Sequence, residues 1–138
     1  MKPPGRAHIE TAVRLLALEG GGPGGADAEA AARVYDKFHH LLDPLLGAAG
    51  VQAIFARSAK LSQVEFACLA DRAVVGSGET LRECLAGQEA PAAAATGVAL
   101  FAAFLALITE FIGARLTTEV LRRAWPTIPE RAFQETNQ

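Results

Sequence analysis

Cysteine, tryptophan, tyrosine and methionine are nearly missing from this chain, at two, one, one and one residues among 138. Two cysteines, Cys68 and Cys84, are too few for the disulfide framework of a small secreted domain. No CxxC spacing or companion histidine cluster marks them as zinc ligands. They read as small buried hydrophobes of a chain kept in a reducing cytosol. An excess of either charge is lacking too, since 13 Lys and Arg against 15 Asp and Glu leave a formal net charge of −2. The basic residues are scattered, so no patch is available to neutralise phosphates, which excludes nucleic acid from the expected partners. Strand signals are scarce, with few alternating runs and few β-branched clusters. The opening MKPPGRAHIE has positive charge but no continuous apolar stretch behind it, unlike a secretory signal, so a cytoplasmic location is expected. Abundant Ala and Gly with few lysines suit a bacterial, GC-rich source.

What is present is apolar and helical. Hydrophobic residues make up 51% of the chain, enough for one domain over residues 1–138 to bury a core without staples. Apolar positions return every three or four residues almost throughout, which predicts an all-α fold, a compact bundle of about six helices. The first helix is expected from Ala7 to Glu19, with Ile9, Ala12, Val13 and Leu16 on its core stripe. GGGPGG, Gly20 to Gly25, cannot continue it and reads as a linker. Asp27 is placed to cap a second helix carrying Val34, Tyr35, Phe38, Leu41 and Leu42 on one face. Asp43-Pro44 looks like a restart of the chain. A third helix is expected to group Val51, Ile54, Phe55, Ser58 and Leu61 and to end between Leu69 and Val75. A fourth spans Glu79 to Ala86, with Ser77 or Thr80 near its start. Pro91 opens a fifth that reaches Ile112, and a sixth runs from Gly113 to Trp125. The tail, 127–138, is expected to fray.

Ala90 to Thr109 holds no charge and is long enough to span a bilayer. Its content of Ala, Gly, Thr and Pro, the bracketing Glu89 and Glu110, and the lack of a Lys/Arg anchor favour a buried central helix over a membrane span.

The two halves share a pattern. A shift of about 66 positions, the separation of Gly47 from Gly113, lays Val34, Tyr35, Phe38, Leu41, Leu42 and Leu46 on Leu100, Phe101, Phe104, Leu107, Ile108 and Ile112. The same shift matches Arg57 with Arg123. Two tandem copies of a three-helix unit with a glycine bend, 7–69 and 76–126, are the expected organisation. The copies differ in one respect. Ala95, Ala99, Ala102, Ala103 and Ala106 form a face of small residues on the fifth helix, where the second helix carries Glu29, Arg33, Asp36, Lys37 and His40. Charge costs little on a solvated helix, so its replacement by alanine suggests close approach by another backbone, either within the fold or from a partner.

Candidate chemistry is thin. Asp36 and His40 are four residues apart, as are His39 and Asp43, and each pair can share a helix face and hold a divalent metal. Further ligands from other helices are not evident, and solvated residues in i,i+4 pairs account for the cluster more simply. Ser58, Ser62 and Ser77 lack the partners of a nucleophile motif. No catalytic residue, metal or cofactor is assigned. Two functions follow: a non-catalytic regulatory or adaptor protein acting through helix contacts with itself, as a homodimer, or with another protein; or a binding protein for a small apolar or aromatic ligand held between helices.

Overall fold

The computed structural model describes residues 4–20, 28–130, 132 and 133. These residues form six α-helices and no strand: α1 (Arg6–Gly20), α2 (Ala28–Leu46), α3 (Ala48–Ser62), α4 (Gly78–Ala86), α5 (Ala90–Ile112) and α6 (Ala114–Ala124). The all-α bundle expected from the periodicity is what forms. The connector after Gly20 and the expected Asp27 cap lie outside the described residues.

Local chemistry sets most boundaries. Ser77 Oγ accepts from the Thr80 N–H at 3.1 Å, while Thr80 Oγ1 accepts from the Ser77 N–H at 3.1 Å, a reciprocal capping box that starts α4. Pro91 occupies the first turn of α5, where its missing N–H is not needed. Gly47 and Gly113 have φ of 82° and 89° with ψ of 147° and 157°, a region that only glycine enters without strain. Each turns the chain from a long helix into the next with the same bonds. Gly47 N donates to Asp43 O and Gly113 N to Thr109 O, both at 2.8 Å.

The packing pairs follow an exchange pattern. α1 lies on α5 as α4 lies on α2, and α3 lies on α5 as α6 lies on α2. Between these layers Phe38, Phe55, Phe101 and Phe104 are fully buried. Phe55 stacks on Phe104 with ring centroids 4.0 Å apart, and Trp125 closes the cluster edge-on to Phe38 at 5.6 Å. Such contacts add about 0.5–1.5 kcal/mol each beyond the area they bury.

Several local expectations fail for identifiable reasons. α2 continues through Pro44 to Leu46 instead of restarting. The carbonyl that loses its donor belongs to exposed His40, so solvent can satisfy it. α3 ends at Ser62, well before Leu69. Glu65 N and Phe66 N both donate to Ser62 O, and two 3₁₀ turns follow, Ala67–Ala70 and Arg72–Val75. The Asp71 carboxylate accepts from Ala73 N at 3.0 Å, a local bond that competes with continued helix. The buried face of α1 is Thr11, Ala12, Leu15 and Leu16, whereas Ile9 and Val13 are 42% and 49% exposed. Beyond Trp125 the chain does not simply fray, because Ile128 and Phe133 are buried. Arg122 Nε donates to Ile128 O at 2.8 Å, and Phe133 stacks on His8 at 5.0 Å. The fold-back after Ser62 also brings Cys68 onto α4, where it forms a disulfide with Cys84. The cysteines are therefore not the independent core thiols expected from sequence.

Candidate functional site

α5 is central, with α1 and α3 packed against it, yet a strip of it stays uncovered between them. The strip exists because its side chains are short: alanines at positions three and four apart share one face of the helix. Along it runs a groove of about 800 Å³ floored by Ala95, Ala99, Ala102, Ala103 and Ala106. Its walls are Ile9 and Val13 of α1, Leu61 at the end of α3, and Phe66 just beyond; Ser62 and Glu65 are its polar side chains.

The five alanines divide. Ala102 and Ala103 are 1% and 4% exposed, so packing within the fold already occupies most of their surface. Ala99 and Ala106 are half-buried and Ala95 is exposed, and these three open to solvent along the groove. Ile9, Val13 and Leu61 all belong to the apolar stripes that the sequence predicts for their helices. Hydrophobic periodicity does not distinguish a side chain that faces the core from one that faces an open groove.

The face of α2 that a shift of about 66 residues lays on this strip is tied up by polar contacts. Glu19 Oε2 accepts from Lys37 Nζ and, at 2.8 Å, from Trp125 Nε1, joining α1, α2 and the end of α6. Arg33 Nη1 donates to Glu19 O at 3.0 Å, and Glu29 faces Arg82 at 3.8 Å. Asp36 lies against Gly78, where a Cβ would come within 2.6 Å of Asp36 Oδ1, so glycine lets α4 approach α2 there. Lys37, His40 and Arg123 line a smaller pocket of about 470 Å³ between α2 and α6.

The four residues of the polar cluster do not converge. His39 Nδ1 and Asp43 Oδ1 are 2.9 Å apart, and the His39 ring stacks on Phe55 at 5.6 Å, so His39 is half-buried and not a solvated residue. His40 and Asp36 are exposed, with Asp36 turned toward α4. Among the described residues no three metal-ligating side chains come together. Ser58 Oγ donates to Ile54 O within its own helix at 2.8 Å, and Ser77 is engaged as a cap.

Comparison of the chain with known families, characterised proteins and solved structures finds no match. The groove must therefore be judged on its own chemistry. α5 is long and apolar enough to cross a membrane, but 61% of its most apolar window is buried inside the bundle, as for a core helix.

One polar feature escaped the sequence reading. Tyr35 is 3% exposed, and its hydroxyl donates to Val75 O at 2.7 Å with Gln52 Oε1 also within 3.0 Å. Gln52 Nε2 donates to the same carbonyl at 2.6 Å. Burial, reinforced by the negative charge of Asp36, pushes the phenol up to about 12. This network pins the second 3₁₀ turn to α2 and α3 and makes Tyr35 a neutral strut rather than an acid or base.

Proposed function

We propose that this is a non-catalytic adaptor or regulatory protein whose alanine-floored groove receives an apolar helix of a partner protein. The supporting observation is the groove itself: an apolar channel whose floor is kept low by alanine. From Ala94 to Leu107 its floor extends about 20 Å at the helical rise. An amphipathic helix can lay its apolar face into such a channel and leave its polar face in water. Small floor residues let the two backbones approach closely.

A second copy of this chain fits less well than another polypeptide. A two-fold dimer sets the same patch against itself, and a concave channel facing its own image leaves a void. A small apolar ligand is the second reading, favoured by a volume inside the roughly 300–1,000 Å³ range of ligand pockets. The matching glycine bends and exchanged packing pairs support descent from a tandem duplication of 7–69 and 76–126, and a cytoplasmic, bacterial setting accompanies this reading.

A photo-crosslinking residue in place of Val13 tests it in cells. Capture of a discrete polypeptide at Val13, but not at Glu119 on exposed α6 surface, is the expected result; no capture at Val13, or equal capture at both, would refute the helix reading. Native mass spectrometry of the purified protein separates the alternatives, because a doubled mass identifies a second copy and a small added mass identifies a ligand.

A further inference from the structure

We propose that the Cys68–Cys84 disulfide is a reversible clamp on one wall of the groove, holding it in place when oxidised and releasing it on reduction. The proposal rests on the groove being a binding site. It starts from the segment between α3 and the first 3₁₀ turn, which contributes Glu65 and Phe66 to the wall. α3 ends at Ser62, and the next core anchor is Leu69, 1% exposed. Between these points the backbone is held by Glu65 N and Phe66 N donating to Ser62 O at 3.2 and 3.0 Å. Val64, in the middle, is 89% exposed. Leu69 N also donates to Phe66 O at 2.9 Å, and Phe66 packs half-buried against the core. The covalent tie is the bond from Cys68, two residues after Phe66, to Cys84 of α4. A wall built on an irregular turn with local hydrogen bonds opens more readily than a helix, and a cross-link to a helix suppresses that opening.

Both cysteines are half-buried rather than enclosed, and exchange requires an incoming thiol to reach one of the two sulfurs. The co-reactant is a dithiol, small or protein-borne. One of its thiolates attacks a sulfur of the pair, the Cys68–Cys84 bond breaks, and a mixed disulfide forms with release of the other cysteine as thiolate. The second thiol of the reagent then displaces the remaining cysteine. The protein gains two electrons and two protons as two thiols, and the dithiol leaves as its own disulfide. In a reducing compartment, disulfides are commonly of this transient, signalling kind.

The whole chain is purified without reductant, and its thiols are counted before and after dithiothreitol treatment. Amide exchange is then read by mass spectrometry over 61–70. Binding of the uncharged fluorophore N-phenyl-1-naphthylamine is measured in both states, with Ala99→Leu as the variant that locates the probe in the groove. The expected result is no free thiol before reduction, exchange at Glu65 and Phe66 about tenfold faster after it, and a similar loss of probe affinity. Cys84→Ser should behave as the reduced protein and ignore the redox state. Free thiols in the untreated protein, or unchanged exchange and equal probe affinity in both states, would overturn the clamp while leaving the groove reading intact. No probe binding in either state, or binding indifferent to Ala99→Leu, would remove the groove reading and the clamp's purpose with it, whatever the exchange data show.

Discussion

Leucine scanning of alanines measures how open the α5 groove is. Ala12 is 0% exposed on the core face of α1, Ala102 is 1% exposed beneath the groove, and Ala106 is half-buried along it. At Ala12 the added carbons have no space, and overpacking should cost about 1–3 kcal/mol. At Ala106 they enter the channel. Full burial is worth about 0.8 kcal/mol per CH₂, and the open side of the groove roughly halves this gain. Fixing the new side chain costs about 0.5–1 kcal/mol, which offsets most of what remains. Ala106→Leu should therefore stay within about 0.5 kcal/mol of the parent, with Ala102→Leu between the two. Urea denaturation gives the three values, and fluorophore titration adds the decisive contrast, because Ala106→Leu should block the groove without loosening the fold. A penalty at Ala106 as large as that at Ala12 would mean that no usable channel exists. Repeating the melts at several concentrations guards against a hidden dimer, whose loss makes the melting temperature concentration-dependent.

Three further outcomes are expected. Gly47→Ala and Gly113→Ala should each cost about 1–2 kcal/mol by denaturant titration, because a Cβ at either site meets nothing within 4 Å and the backbone conformation alone is penalised. Matched losses would show that both bends hold the same strained geometry, and a neutral variant would show that its bend tolerates an L side chain. Gly97→Ala should stabilise by about 0.5–1 kcal/mol through helix propensity, since the new methyl would sit 3.5 Å from Leu16 Cδ1, an ordinary contact; a lower melting temperature would contradict that spacing. Tyr35, with its folded pKa raised to about 12 from 10.0, contributes stability that is complete below pH 10 and lost as pH rises from 10 toward 12, on the order of 2 kcal/mol. Alkaline denaturation of Tyr35→Phe should lack this component, and an unchanged alkaline profile would rule out the buried neutral phenol as its source.

The sequence carried the parts of the fold that depend on local chemistry. Ser77 with Thr80, Pro91, and glycine at 47 and 113 act over a few residues, and α4, α5 and α6 fall within one or two residues of where these signals put them. What it hid depends on contacts between distant segments. Leu61 to Val75 remains apolar enough for a helix, and the break at Ser62 shows only once the Asp71 turn and the Tyr35 network are seen holding the chain in another shape. The cysteine pair, 16 residues apart, is joined by that same fold-back. Ile128 and Phe133 sit in a stretch with turn residues and no periodicity, and their burial comes from α1 and α6 offering them a surface.

The groove lies between these cases. Its floor was legible because two halves of one chain could be compared, and the structure narrows which part of that comparison carries meaning. Ala102 and Ala103 are required by the bundle: a long side chain there would have to displace packed neighbours, so their small size says nothing about a partner. Ala95, Ala99 and Ala106 face open space, and a charged side chain at any of them could extend into solvent at little cost to folding. A shift of about 66 residues lays Ala103, Ala106 and Leu107 on Lys37, His40 and Leu41 of α2, which line the pocket beside Arg123. The bundle thus tolerates a basic, wet pocket in one half and has an apolar channel in the other. Core packing explains two of the five alanines, and the three that folding leaves free are those the proposed apolar guest would account for.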